Sequence, residues 1–311
     1  MRSEGSDMSY GAAASTNDSV GSENAGRALA RPVTHIAVRT GTGDLAVEVS
    51  GRGKPVVLIH GWGVDRRMWM HQVSAFRRQF TTISYDRRGC GETTAPADHA
   101  LELEDLDTLL DELKLSAAGI VGMSQGGRVA MRYAMTRPSR VTGLVLQGAP
   151  LDDTPSPLAA DDSLLPLQRL AELLRRGDRD SLVRELCRHP LMNAGLRRTQ
   201  AQAEIDAMLK DYRGEDLLRL AAQPSESDPL RAADLAVIQA PTLVITGSNE
   251  LLWLRRTADR MARNIYGARR RVIRGGGHFV NMTHIGDYNR CVVEFLVNTT
   301  RPWSERALGS V

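Results

Sequence analysis

The sequence predicts a doubly wound α/β fold, a mostly parallel sheet with a helical cap inserted into it. Three observations carry that expectation. Six short apolar runs rich in β-branched residues recur along the chain without polar alternation, as expected of strands covered on both faces. Stretches with apolar residues at helical spacing separate them. Between the fourth run and the fifth, residues 151–239 hold helical patterns and no convincing strand. The chain of 311 residues is 42% hydrophobic and 25% charged, which suits a globular protein with a packed core.

The elements follow in order. Residues 1–30 are rich in Ser, Gly, Ala and Asn, cannot bury enough apolar surface to order themselves, and are expected to be a disordered tail. Residues 31–150 form the first part of the core. There "VTHIAVRT" and "DLAVEVSG" flank a glycine turn at Gly41–Gly43 and read as a β-hairpin. The runs "PVVLIH" (55–60), "TTISY" (81–85), "AGIVG" (118–122) and "VTGLVLQ" (141–147) read as strands. Helices are predicted where Trp69, Val73, Phe76 and Phe80 recur, and again at Leu103, Leu106, Leu110 and Leu113. The insertion, 151–239, opens on a loop rich in Pro and Asp that runs to Asp162, and continues through amphipathic stretches such as "LLPLQRLAELLRR" and "AQAEIDAMLKDY". Residues 240–311 complete the core with "PTLVIT" (241–246), "RRVI" (270–273) and a helix through Tyr288, Cys291, Val292, Phe295 and Leu296.

Several function classes are disfavoured by composition. The formal net charge is only +3 and the arginines are spread along the chain, so no nucleic-acid partner is expected. No run approaches the roughly 18 apolar residues of a membrane helix, and a cytoplasmic protein without membrane contact is expected. Cys90, Cys187 and Cys291 are odd in number, far apart and without metal-ligand spacing, which points away from a disulfide framework or a zinc site.

Chemistry-bearing motifs follow the strands, where ligand sites of this fold class lie. "GMSQGG" places Ser124 between Gly122 and Gly126, the G-x-S-x-G pattern of a sharp strand-to-helix turn that exposes a nucleophile and needs small neighbours. "HGWG" follows the first parallel strand, and its glycine-flanked loop can present the Trp62 N–H beside that of Gln125 to a tetrahedral oxyanion. His60 itself reads as a brace for that loop. "DRRGCGET" (86–93) reads as structural and is assigned no chemistry. "GGGHF" sets His278 on a glycine-rich loop after the last strand, from which an imidazole can reach Ser124 as general base.

In this order and after these strands, HGWG, DRRGCGET, GMSQGG and GGGHF resemble the α/β-hydrolase superfamily, specifically its capped, serine esterase-like branch, over about Val33 to Asn298. The resemblance implies Ser124 as nucleophile, His278 as base, and the amides of Trp62 and Gln125 as the oxyanion hole. It implies no cofactor and no metal. For the acid the sequence departs from the family's usual aspartate: after "PTLVITG" it reads Ser248-Asn249-Glu250, so Glu250 is the expected triad acid, with Asp152 or Asp153, after "VTGLVLQ", as the alternative. A serine at the elbow also points away from the relatives that use aspartate there, the dehalogenases and epoxide hydrolases.

The implied reaction is hydrolysis of a carboxylic ester carrying a small or medium-sized acyl group, through an acyl-enzyme. Lactonase, thioesterase, cofactor-free perhydrolase and acyltransferase remain alternatives on the same triad, as does a binder of the same fold without catalysis. The expected partner is a small-molecule ester. HGWG is also similar to the loop of esterases that demethylate acyl chains carried on a carrier protein, and this resemblance leaves open a carrier protein as a further partner for the arginines of the insertion (Arg169, Arg175, Arg176, Arg179, Arg184), although arginines on amphipathic helices commonly form a solvated face.

Overall fold

The structure, a computed structural model, describes residues 33–154, 165–193, 200–222 and 229–299. The expected disordered tail (1–30), most of the loop that opens the insertion, and residues 300–311 of the second core segment lie outside the described residues.

Eight strands form one sheet: β1 (Thr34–Thr40), β2 (Gly43–Gly51), β3 (Lys54–Ile59), β4 (Phe80–Tyr85), β5 (Ala118–Met123), β6 (Val141–Gln147), β7 (Thr242–Gly247) and β8 (Arg269–Ile273). Their spatial order is β1-β2-β4-β3-β5-β6-β7-β8. The hairpin pairs Thr40 with Gly43, so its turn is two residues long. β2 runs antiparallel to β1 and β4, and every pair from β4 to β8 is parallel.

Strand alternation divides the core into two layers, which explains the uniformly apolar runs. Val56, Leu58, Val121, Val145, Leu243 and Ile245 lie in the layer that holds Val73 and Phe76 of α1 (Met70–Phe76). Val57, Ile59, Ile120, Leu144, Leu146 and Val244 lie in the opposite layer, with the apolar residues of α2 (Glu102–Glu112) and α3 (Gln125–Thr136). One expectation fails here: Phe80 is the first residue of β4, not the last apolar position of α1. The Arg77 amide bonds back to Val73 as the helix ends, and Phe80 returns to meet Phe76 edge-on with ring centroids 6.4 Å apart, so its helical spacing is a coincidence of the tight helix-to-strand turn.

Between β6 and β7 the described chain has no strand. It forms α4 (Leu167–Arg175), α5 (Arg179–Arg188), α6 (Pro190–Asn193), α7 (Gln200–Asp211) and α8 (Glu215–Ala222). These helices rest on the loops that leave β3 and β4. Arg67 bridges to Asp211, Arg213 donates to the Thr93 carbonyl, and Arg219 reaches Asp98 at 2.8 Å. Leu186, Ile205, Leu209 and Leu217 are buried in the same apolar cluster as Trp62, Met68 and Trp69, so the insertion shares a core with the sheet. The fold closes with α9 (Leu252–Asn264), α10 (Val280–Thr283) and α11 (Ile285–Thr299). No helix among the described residues is long and apolar enough to cross a membrane.

Candidate active site

Each residue singled out by the motifs lies at or just beyond the carboxyl end of a parallel strand. Ser124 follows β5 and caps α3 with φ 52 and ψ −118. A non-glycine residue held at positive φ costs on the order of 1–3 kcal/mol, and the neighbouring backbone enforces it. The Ser124 amide donates to the Gln147 carbonyl at 2.8 Å, while its own carbonyl accepts from Gly127 at 2.9 Å and Arg128 at 3.2 Å. The flanking glycines are a steric requirement: a Cβ on Gly122 would stand 2.4 Å from the Gly126 oxygen, and one on Gly126 would stand 2.4 Å from the carbonyl oxygens of Ile59 and His60. The chain can therefore turn sharply enough to lift one hydroxyl out of the sheet.

The loop after β3 passes directly beside that elbow. A Cβ on Gly61 would lie 3.2 Å from the Ser124 Cβ. Trp62 is buried and meets Tyr212 edge-on, with ring centroids 5.6 Å apart, tying this loop to the inserted helices. Among the described residues, the main-chain N–H groups of Trp62 and Gln125 have no acceptor, which leaves two donors available next to Ser124.

His60 holds this loop to the next one. Its Nε2 accepts from the Arg87 amide at 2.9 Å, so Nδ1 carries the proton and donates to the Gly61 carbonyl at 2.7 Å. Burial, reinforced by the Arg87 charge, lowers its pKa from 6.5 to about 4. The folded protein thus keeps the ring neutral where the unfolded chain would protonate it. Between about pH 6.5 and 4 the unfolded state binds more protons, so stability falls with acidification, by roughly 3 kcal/mol over the whole window. Urea unfolding of wild type and His60→Asn at pH 7 and pH 5 checks this. The variant should be less stable at pH 7 and lose less on going to pH 5, and parallel losses would count against His60 as the titrating group.

The stretch "DRRGCGET" braces the loops around it. Asp86 accepts from the amides of Arg66 at 2.8 Å and Glu92 at 2.9 Å, Arg87 pairs with buried Glu102, and Arg88 forks onto Asp105.

His278, after β8, places Nδ1 2.8 Å from Oε2 of Glu250, which follows β7, and both side chains are buried. The second carboxylate oxygen of Glu250 accepts from the Leu251 amide at 2.9 Å. A buried carboxylate beside Nδ1 favours the tautomer with the proton on Nδ1 and a lone pair on Nε2. Asp152 and Asp153 lie elsewhere: Asp152 is held by both terminal nitrogens of Arg128 at 3.0 and 2.9 Å, and Asp153 by Arg260 at 2.6 Å. Glu250 is therefore the carboxylate brought to the imidazole. Ser124 and His278 are not hydrogen-bonded to each other.

Sequence reading overlooked Gly148. It sits at φ 54 immediately after β6, and a Cβ there would stand 2.9 Å from His278 Nδ1 and 3.1 Å from Glu250 Oε2. The His–Glu pair packs into the space a side chain would take. The only sequence signal was a glycine ending "VLQG", which any strand-to-loop turn can show.

Four of the five insertion arginines are engaged internally, among them Arg184, which donates to the Ser181 hydroxyl at 2.7 Å. Arg169 forks onto Glu185, Arg176 pairs with Glu172, and Arg179 donates to the Tyr212 carbonyl. Among the described residues no group of three or more His, Cys, Asp or Glu side chains is arranged to hold a metal ion, and no disulfide joins Cys90, Cys187 and Cys291.

The family model described as the alpha/beta hydrolase fold matches residues 54–285. Similar curated proteins include the 2-hydroxy-6-oxononadienedioate/2-hydroxy-6-oxononatrienedioate hydrolase of Paraburkholderia xenovorans, 26% identical, with 85% of this chain and 94% of that protein covered. The (E)-2-((N-methylformamido)methylene)succinate hydrolase of Acinetobacter baylyi is 25% identical over 80% of this chain and 92% of its own length. Among solved structures, a thermophilic esterase from Thermogutta terrifontis, determined with malate bound, matches with TM-score 0.70 at 26% identity, covering 86% of this chain and 100% of that one. These relatives are named for different substrates, so similarity at this level carries hydrolysis and leaves the substrate open.

Proposed function

Since the chain belongs to the α/β-hydrolase family, we propose that it is a serine hydrolase that cleaves a carboxylic ester of a small or medium-sized acyl group through an acyl-enzyme. The observation that carries this reading is the buried Glu250–His278 pair together with a serine held at positive φ at the end of a parallel strand. In this scheme His278 Nε2 takes the Ser124 proton as Oγ attacks the carbonyl carbon, and Glu250 stabilises the imidazolium. The amides of Trp62 and Gln125 receive the charge that develops on the carbonyl oxygen. His278 then returns the proton to the departing alcohol, and water repeats the sequence on the acyl-enzyme.

The inserted helices act as a cap that shapes the acyl site, and a cap that shares its apolar core with the loop around Trp62 suits an uncharged acyl chain. The test is hydrolysis of p-nitrophenyl esters from acetate to dodecanoate, with intact-mass detection of the acyl adduct. The expected result is turnover peaked at one chain length and an adduct of the matching acyl mass. Absence of both turnover and adduct across the series would remove simple esters as the substrate class.

A further inference from the structure

The scheme above leaves a group of buried amide side chains unused. Gln147 at the end of β6, Asn281 in α10 and Gln72 in α1 have no exposed surface. Gln147 Nε2 donates to the His278 carbonyl and to Asn281 Oδ1, each at 2.9 Å. Asn281 Nδ2 donates to Gln72 Oε1 at 3.3 Å, and Gln72 Nε2 donates to Asn289 Oδ1 in α11 at 2.8 Å. The main-chain oxygen of the same Gln147 accepts the Ser124 amide at 2.8 Å.

Amides are costly to bury and contribute little to net stability over apolar side chains of the same shape, so packing alone gives no reason for this chain. Its position does. Gly275 and Gly276 are tied to Ser248 and Asn249, but between them and His278 stands Gly277, and the ring has one hydrogen bond, to Glu250. The Gln147 side chain grips the main chain of that histidine, while its backbone grips that of the nucleophile.

We infer that Gln147 is a positioning residue that sets the backbones of Ser124 and His278 in register through one side-chain and one main-chain hydrogen bond. The inference rests on the serine-hydrolase reading. Its side-chain half is open to mutation: a donor lost at position 147 releases the His278 carbonyl without touching a group that contacts substrate. Misplacing a catalytic group by about 1 Å can cost on the order of 100-fold in rate.

Because the natural substrate is not needed, the test uses a fluorophosphonate probe. Ser124 Oγ displaces fluoride at phosphorus, so a P–O bond forms as the P–F bond breaks, and the serine proton passes to His278. The rate of labelling is measured against pH for wild type, Gln147→Met, Gln147→Ala and Leu106→Ala. The last variant lowers stability in the opposite core layer, far from the amide chain. The expected result is labelling about 10- to 100-fold slower in both Gln147 variants, with a displaced pH midpoint, and a wild-type rate and midpoint in Leu106→Ala. Wild-type rate and midpoint in folded Gln147→Met overturn the positioning role alone. Equal slowing in Leu106→Ala, or failure of both Gln147 variants to fold, assigns the amide to the scaffold and overturns it too. A wild-type protein that takes no label overturns the serine-hydrolase reading itself.

Discussion

Ser124→Ala is expected to reduce ester turnover by about 10⁵- to 10⁶-fold and to abolish the acyl adduct, because no other hydroxyl takes the nucleophile's place in the proposed scheme. The fold should survive. Alanine at the elbow still has to adopt φ 52, and the hydrogen bonds that hold it there involve only main-chain atoms of residue 124. The change in thermal midpoint should therefore be small, and a parallel melt separates lost chemistry from lost structure. Turnover within a few fold of wild type would mean that the hydrolysis runs through another group.

Glu250→Gln is expected to lower kcat by roughly 10³- to 10⁴-fold, the scale seen when a triad carboxylate becomes an amide. The amide can present its NH₂ to His278 Nδ1 and so favour the opposite tautomer, with the proton on the nitrogen that must accept one. Asp153→Asn provides the contrast. Asp153 is bonded to Arg260 and receives the Ala232 amide, so its loss should lower the thermal midpoint and leave kcat within a few fold of wild type. The reverse pattern, activity kept in Glu250→Gln and lost in Asp153→Asn, would move the acid to the loop after β6.

The fold was legible because its signals are local. Uninterrupted β-branched runs mark strands covered on both faces, and each strand of the sheet begins and ends within one residue of the run read from sequence. Helical spacing places Phe80 in the wrong element because it cannot reveal a helix that stops four residues sooner. The short α6 was missed since Pro190–Asn193 carries no periodicity to detect.

Ser124 and the amides of Trp62 and Gln125 were legible for the same reason: glycines flank them within a few residues, and the steric need is met by the chain's own neighbours. The sequence by itself therefore determined the strand and helix pattern, the elbow, the glycine loop beside it and the histidine at the last strand. What only the tertiary structure decided is which groups meet across the sheet. Glu250, Asp152 and Asp153 all follow strands that end near one another, and only strand order and loop path bring Glu250, not the aspartates, to 2.8 Å from the imidazole. Gly148 and Gln147 belong to the same category. The side-chain hydrogen bonds that set this cluster join residues 28, 131 and 134 positions apart, and no local propensity encodes a distance that the packing of several elements creates.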